Sequence, residues 1–164
     1  SELLELGRPR ELCPEPAPLG QIVFRAADFV EVQAREKGVS VRRRGVEPEP
    51  VAFCDPELVH QVALNLLVNA VQILPGGGSV EIGLLPPRDG YAGFEVRDDG
   101  PGMSADVRAR IFEPFFTLRN GGVGLGLTFV QRVVQEHRGR ISVDSDPGRG
   151  TTFRVELPAS GGPA

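Results

Sequence analysis

The sequence feature that most constrains the fold is a short acidic and glycine-rich stretch, Arg97 to Met103, which reads Arg-Asp-Asp-Gly-Pro-Gly-Met. It directly follows an apolar run typical of a buried β-strand, so the chain must turn sharply where that strand ends. Gly100 and Gly102 can adopt positive φ and leave room for a bound group, while Pro101 stiffens the turn. Two carboxylates beside such a turn could bind a cation, begin a helix or accept hydrogen bonds from a flat ligand lying on the glycines.

Composition limits the class of protein. The chain has 164 residues, of which 40% are hydrophobic, and this suits one domain with a single core. The net charge of −4 argues against nucleic acid as a partner. The main basic cluster, 42–44, consists of three arginines in a strand context, so we interpret it as a solvated edge strand.

Cysteine usage and hydropathy predict a cytoplasmic domain. Cys13 and Cys54 lack the spacing of a metal site or a redox pair, and we expect reduced thiols. No apolar run approaches the roughly 20 residues of a membrane span, and the N-terminus lacks the pattern of a signal peptide. We therefore expect no direct membrane contact, and any anchor of a membrane-bound sensor would lie in sequence outside this chain.

Periodicity predicts four helices and three pairs of strands. The first helix, 19–37, is amphipathic, with apolar residues at helical spacing: Ile22, Val23, Ala26, Phe29, Val30 and Ala34. The second begins at Asp55, the N-cap, and runs to about Leu74. A short third helix has Ser104 as its N-cap, and the fourth ends near Arg138. The strand pairs are expected as hairpins at 39–41 with 51–53, 79–85 with 91–96, and 141–144 with 151–157.

The second helix carries an unusual polar stripe. Gln61, Asn65, Asn69 and Gln72 fall within about 80° of one another at 100° per residue. One interpretation is that such residues simply face solvent, but asparagine is a poor helix former and exposed positions more often use charged residues. Two asparagines one turn apart fit a hydrated Mg²⁺ ion with its phosphates, because Mg²⁺ prefers oxygen ligands and keeps several waters.

A second glycine-rich stretch precedes the last helix. Gly122, Gly124 and Gly126 would leave backbone N–H groups bare at a helix start, an arrangement suited to phosphate. The spacing differs from that of the dinucleotide fingerprint, so a different phosphate site is implied. The aromatic run 112–116 before it is interpreted both as a core plug and as the anchor of a mobile lid.

Five motifs in order resemble one known family. They are Asn65-Leu66-Leu67-Val68-Asn69-Ala70, Asp98-Asp99-Gly100-Pro101-Gly102, Phe112-Glu113-Pro114-Phe115-Phe116-Thr117, Gly122-Val123-Gly124-Leu125-Gly126-Leu127, and Gly150-Thr151-Thr152-Phe153. Together they resemble the catalytic ATP-binding domain of sensor histidine kinases, within the wider group of gyrase, the heat-shock chaperone and the mismatch-repair ATPases. The resemblance covers about residues 19–158. Residues 1–18 resemble the end of a dimerisation helix with its linker, and residues 159–164 are expected to be a tail.

The resemblance implies an α/β two-layer sandwich, the Bergerat fold, with a mixed β-sheet packed against about three helices. Asp98 would accept a hydrogen bond from the adenine amine, Asn69 with Asn65 would hold Mg²⁺, and Thr151 would support the adenine pocket. Asn65 and Arg119 take the catalytic positions. The set implied to bind ATP is Asn65, Asn69, Gln72, Asp98, Gly100, Gly102, Arg119, Gly122, Gly124, Leu125, Gly126, Leu127 and Thr151.

The expected reaction is transfer of the γ-phosphoryl group to a histidine. Relatives that hydrolyse ATP have a glutamate where this chain has Asn65, and an amide cannot act as a base. Where many such kinases have lysine or arginine, this chain has Gln72, and Arg119 would supply the missing positive charge. His60 and His137 are interpreted as structural, with a cationic His137 suiting the end of its helix.

The acceptor histidine is therefore expected on a dimerisation domain upstream of this chain. The implied partners are that domain and a response regulator, with a homodimer in the full-length protein and a monomer for this fragment. Two alternatives stay open. The chain could be a nucleotide-binding regulatory module without transfer, which Gln72 favours, or a serine kinase acting on a partner protein, as in anti-sigma factors.

Overall fold

The computed structural model describes residues 11–114, 116 and 126–159. In this part of the chain, seven strands and four helices follow in the order β1 (Glu15–Pro18), α1 (Leu19–Glu36), β2 (Ser40–Arg44), β3 (Val51–Cys54), α2 (Pro56–Ile73), β4 (Ser79–Arg88), β5 (Tyr91–Asp98), α3 (Ala105–Arg110), α4 (Gly126–Glu136), β6 (Arg140–Ser145) and β7 (Thr151–Pro158).

The main sheet has five strands in the order β2-β4-β5-β7-β6. The β2–β4 pair is parallel, and the other neighbouring pairs are antiparallel. Strands β1 and β3 form a separate antiparallel pair. The mixed sheet of the expected α/β sandwich is thus confirmed, and the hairpins β4–β5 and β6–β7 were predicted correctly.

The helices cover one face of this sheet. Helix α1 packs on α2 and on β2, β4 and β5, and α2 packs in turn on α4. Alternation along β5 and β7 sends every second side chain into the layer between sheet and helices. Phe94 and Val96 of β5 meet Val155 and Leu157 of β7 there, all at most 2% exposed.

The start of α2 joins three segments through Asp55. Its Oδ1 accepts hydrogen bonds from the N–H groups of Glu57 (3.1 Å) and Leu58 (3.2 Å), as expected for an N-cap. Its Oδ2 accepts from the N–H of Cys13 at 3.1 Å, and its own N–H donates to Nε2 of His137 at 3.0 Å. One residue therefore fixes the start of α2 to the segment before β1 and to the end of α4.

Two predictions about the first third of the chain are wrong. Strands β2 and β3 do not form a hairpin, because β2 pairs with β4 and β3 pairs with β1. Residues 15–18, expected in an extended linker, are extended and supply that partner. Phe29 does not share the buried stripe of α1: it is 67% exposed, and its ring meets the edge of His60 with centroids 5.5 Å apart.

The arginine cluster 42–44 behaves as an edge strand, as predicted. Arg43 points to α1, where it pairs with Asp28 at 2.7 Å and Glu31 at 3.1 Å. Arg44 points to the opposite face and bonds Glu95 at 2.8 Å. Within the described ranges, no helix combines the length and apolar composition needed to cross a membrane.

Candidate functional site: a cleft between the β5 turn, α2 and α4

Asp98 is a buried carboxylate at the end of β5. Strand alternation places it on the same face as Phe94 and Val96, so its side chain points toward the helices and is 6% exposed. Oδ1 accepts a hydrogen bond from the N–H of Gly100 at 2.9 Å. The pKa of Asp98 is raised, chiefly because burial disfavours the charged carboxylate. Hydrogen bonds from the N–H groups of Gly100 and Thr151 lower the pKa and partly offset this rise, whereas the nearby charge of Asp99 adds to it.

The neighbouring carboxylate has a different task. Oδ1 of Asp99 accepts the N–H of Ser79 at 2.9 Å, and Oδ2 accepts the Ser79 hydroxyl at 3.2 Å. Asp99 therefore ties the turn to the first residue of β4. Of the two adjacent aspartates, only Asp98 combines deep burial with a turn of small residues beside it, which is the arrangement a recognition carboxylate needs.

The glycines of this turn serve different purposes. Gly102 has φ +72°, as expected, and a β-carbon there would collide with the carbonyl oxygen of Asp146. Gly100 does not adopt positive φ, contrary to expectation. Its lack of a side chain matters for space instead, since a β-carbon would lie 2.9 Å from Oδ1 of Asp98 and 3.5 Å from Cγ2 of Ile73.

Thr151 lies beside Asp98 on the next strand. The two are register partners in the β5–β7 ladder, and the Thr151 hydroxyl is 2.8 Å from that of Ser145. The Ser145 hydroxyl also accepts the N–H of Met103 at 2.8 Å, and Pro101 accepts the N–H of Gly148 at 2.7 Å. The β6–β7 hairpin thereby holds the far side of the glycine turn in place.

The paired asparagines face the start of α4. A β-carbon added to Gly126, the first residue of α4, would lie 3.7 Å from Oδ1 of Asn65 and 3.9 Å from Nδ2 of Asn69. The absent side chain therefore leaves a cradle between two amides and the N-terminal turn of a helix. Leu127, next along, is partly buried and packs against the core.

Gln72 shares this helix face but lies in a different environment. Its side chain is half-buried, and Oε1 is a buried acceptor with no hydrogen-bond partner among the residues that the structure describes. Arg119, expected to supply positive charge beside it, lies outside the described residues, as do Gly122, Gly124 and Leu125. Their implied roles stay predictions.

Sequence reasoning missed the apolar wall next to the glycine turn. A cavity of about 500 Å³ is lined by residues 73–78 and 99–101. Leu74 is 2% exposed, and its Cδ2 would lie 3.3 Å from a β-carbon on Gly100. The signal was present in the sequence: Ile73 and Leu74 directly follow the polar stripe of α2 and precede three glycines.

Both histidines make contacts within the fold, in line with their interpretation as structural residues. Nε2 of His137 accepts the N–H of Asp55, and Nδ1 lies 2.8 Å from the carbonyl oxygen of Val133. Both cysteines are free, as predicted, and burial raises the pKa of Cys54 to about 12.

A buried carboxylate at a strand end, a pair of amides beside Gly126 and a cavity next to the glycine turn are features of a nucleotide-binding α/β sandwich. The family model of histidine kinase-, DNA gyrase B- and HSP90-like ATPases matches residues 54–161. The signal transduction histidine-protein kinase AtoS of Escherichia coli (strain K12) is 36% identical over 160 residues, 96% of this chain and 26% of AtoS. Sporulation kinase E of Bacillus subtilis (strain 168) is 32% identical over 158 residues, 96% of this chain and 21% of that kinase.

Solved structures of histidine kinases share the fold of this chain. The crystal structure of full-length ShkA in complex with AMPPNP matches with a TM-score of 0.85 and 31% identity, covering 99% of this chain and 35% of ShkA. The mycobacterial sensor histidine kinase MprB matches with a TM-score of 0.77 and 30% identity, covering 90% of this chain and 98% of that chain. This chain belongs to the histidine kinase-, DNA gyrase B- and HSP90-like ATPase family, as a catalytic ATP-binding domain of the sensor histidine kinase type. It spans only 21% of the length of sporulation kinase E and 26% of that of AtoS.

Proposed function

We propose that this domain binds Mg-ATP in the cleft between the β5 turn, α2 and α4, and presents the γ-phosphoryl group to a histidine of a separate dimerisation domain. The observation that carries the proposal is the Asp98 carboxylate, which is buried and, among the described residues, is bordered by Gly100 and Thr151 and not paired with a cationic side chain. A buried carboxylate needs donors. The N–H of Gly100 supplies one, and the exocyclic amine of adenine supplies another.

The base would be read by the strand end and the turn. Asp98 accepts from the amine, Gly100 leaves space for the flat ring, and Thr151 buttresses the carboxylate from the neighbouring strand. A carboxylate accepts only, so it selects an amino group over a carbonyl at that position of a purine. ATP is therefore favoured over GTP.

The phosphates would lie between the asparagine pair and α4. The N–H groups of the first turn of α4 and the positive end of its helix dipole would suit phosphate oxygens. A bound Mg²⁺ ion would neutralise phosphate charge and help to orient the tail of the nucleotide. Asn69, with Asn65 beside it, is the residue that would hold this ion through its amide oxygen, and the cradle at Gly126 provides the room.

Asn65 also bears on the fate of the phosphoryl group. An amide cannot take a proton from water at neutral pH, so Asn65 orients groups without activating a hydrolytic nucleophile. Catalysis by this domain would then consist of positioning and charge neutralisation, and hydrolysis in the absence of an acceptor would be slow.

The acceptor and partners are proposed from the kinship with sensor histidine kinases. We propose that residues 1–18 lead from a dimerisation domain that carries the acceptor histidine, that residues 19–158 form the catalytic domain, and that residues 159–164 are a tail. The full-length protein would be a homodimer that passes its phosphoryl group to a response regulator, and this fragment alone would be monomeric. The domain would work in the cytoplasm, where ATP is available.

A second candidate function, a nucleotide-binding regulatory module that does not transfer phosphate, is favoured by Gln72. Its neutral amide has a buried Oε1 without a hydrogen-bond partner among the described residues, and it cannot offer the charge that Lys or Arg would offer to phosphate. If the domain does transfer phosphate, Arg119 would have to supply the positive charge that Gln72 lacks.

Two measurements test the proposal. Calorimetry with AMPPNP and Mg²⁺ should show one site, whereas absence of binding at saturating nucleotide would refute it. A longer form of the protein with its upstream segment is then incubated with labelled ATP. Acid-labile label on histidine supports the kinase, nucleotide binding without label supports the regulatory module, and acid-stable label on an added partner indicates a serine kinase.

A further inference from the structure

Lys37 is the single lysine of the chain, in which the other positively charged side chains are arginines. It follows the last residue of α1, and its Nζ donates to the carbonyl oxygens of Val71 and Gln72, each at 3.0 Å. These carbonyls belong to the last turn of α2, which has no basic residue of its own. The ammonium thus binds the negative end of the helix that carries the asparagine pair.

The backbone of Lys37 holds the next segment as well. Its carbonyl oxygen accepts the N–H of Gly77 at 3.0 Å, and one residue further the carbonyl of Gly78 accepts the N–H of Ser40 at 3.0 Å. The side chain and main chain of one residue are therefore bonded to both ends of the segment 71–77, in which the chain leaves α2 and turns toward β4.

This segment is the apolar wall of the cleft. Residues 73–78 line the 500 Å³ cavity together with residues 99–101. Ile73 and Leu74 pack against Gly100, whose N–H donates to the Asp98 carboxylate. A shift of the wall would therefore displace the turn on which the candidate base-recognition group depends.

We propose that Lys37 is a positioning residue for the purine end of the nucleotide cleft. This rests on the proposed function, because it assigns the cleft to ATP. Lys37 contacts no nucleotide; it sets the distance between the end of α2 and the glycine turn. A compact ammonium with three donors suits two successive carbonyls, and arginine can also donate to both from a longer side chain.

The test compares Lys37→Met with Lys37→Arg and Arg35→Met. Methionine keeps the apolar stem and removes all donors. Arg35 is an exposed cation in the last turn of α1, so Arg35→Met is matched for charge and place. By calorimetry at a temperature where all variants are folded, we expect Lys37→Met to weaken ADP about tenfold and Lys37→Arg to recover most of that loss. Arg35→Met should bind as the wild type.

Adenosine binding distinguishes a positioning role of Lys37 from a general loss of stability in the variant. We expect Lys37→Met to weaken adenosine by the same factor as ADP, because the wall borders the base. The core variant Val30→Ala, whose side chain is 1% exposed in α1, should lower the melting temperature without changing either affinity. An unchanged affinity of Lys37→Met for both ligands overturns the inference and leaves ATP binding intact, whereas a wild type that does not bind ADP refutes the proposed function itself.

A chemical experiment covers the case in which Lys37→Met fails to fold. Reductive methylation of the folded wild type modifies Lys37 and the terminal amine, keeping the charge but replacing N–H donors. The methylated wild type should lose ADP affinity about tenfold, and methylated Lys37→Arg, in which only the terminal amine reacts, should lose none. Full ADP affinity of the dimethylated wild type, with modification verified by mass, overturns the inference.

Discussion

Asp98→Asn tests the cleft most directly. Oδ1 of Asp98 already accepts the N–H of Gly100 at 2.9 Å, and an asparagine keeps that bond with its amide oxygen. The amide NH₂ must then face the amine of adenine, so an acceptor is replaced by a donor. A hydrogen bond to a charged group contributes about 1.5–3 kcal/mol, and an unsatisfied buried donor adds to that loss. We expect a total of about 2–4 kcal/mol, which is roughly 30- to 1,000-fold in the dissociation constant of ATP.

The same substitution should stabilise the protein. Burial raises the pKa of Asp98 in the folded state above its unfolded value. Below the pKa of the unfolded state, the carboxyl is protonated in both states and does not lower the free energy of unfolding. As the pH rises through the folded pKa, the unfolded state loses its proton first, so the free energy of unfolding falls. At pH 7 the charged form opposes folding, and Asp98→Asn should therefore melt at a higher temperature, with the difference vanishing in acid.

The assays are calorimetry with AMPPNP and thermal unfolding between pH 3 and pH 8. Asp99→Asn is the matched control. It removes the same charge at the neighbouring residue, whose carboxylate is hydrogen-bonded to Ser79. We expect it to lower stability and to change affinity less than Asp98→Asn. Equal ATP affinities of Asp98→Asn and the wild type would show that no base amine meets this carboxylate.

Three further predictions concern the cleft and its supports. Asn69→Ala should abolish the Mg²⁺ dependence of ATP binding, measured by calorimetry with and without EDTA, and a mutant with full dependence contradicts the metal assignment. Gly150→Ala should lower the free energy of unfolding in urea by about 3 kcal/mol or more, because a β-carbon at φ +75° would strike the carbonyl of Asp98. Gly148→Ala, at φ +79° in open space, should cost only about 1 kcal/mol, and equal losses would refute the clash. His137→Phe removes the acceptor of the Asp55 N–H and should cost about 1–3 kcal/mol in the same assay, whereas an unchanged midpoint would show that this bond contributes nothing.

Local signals in the sequence predicted the elements that pair with near neighbours. The N-caps Asp55 and Ser104 both accept the expected backbone N–H groups. The β4–β5 and β6–β7 hairpins follow from turns rich in Gly, Pro and Asp. Strand β2 was placed correctly in the chain but given the wrong partner, because its true partner β4 lies beyond a whole helix and nothing local records a parallel crossover.

Site residues that belong to a sequence motif could be predicted, whereas those that reach the site only through packing could not. The Asn65 and Asn69 stripe and the acidic glycine turn could be read from spacing. The structure places the two amides beside Gly126 and Asp98 at the end of β5. The wall formed by Ile73 and Leu74 was missed because apolar residues at a helix end occur in cores as well as in cavity linings, and only their place beside the polar stripe sets them apart. Phe29 shows the converse, since it belongs to the apolar stripe of α1 by spacing, yet it is 67% exposed and contacts α2 only through His60 among the ring contacts described.

One end of helix α4 is fixed to α2 by a hydrogen bond. Its last turn is bonded to the start of α2 through His137 and Asp55, and its first residue stands beside Asn65 and Asn69. The eleven residues between these points span about 16 Å. A tilt of about 10° around the bonded end would swing Gly126 by roughly 3 Å. A small angular change near His137 would therefore change the distance between the start of α4 and the amides of Asn65 and Asn69.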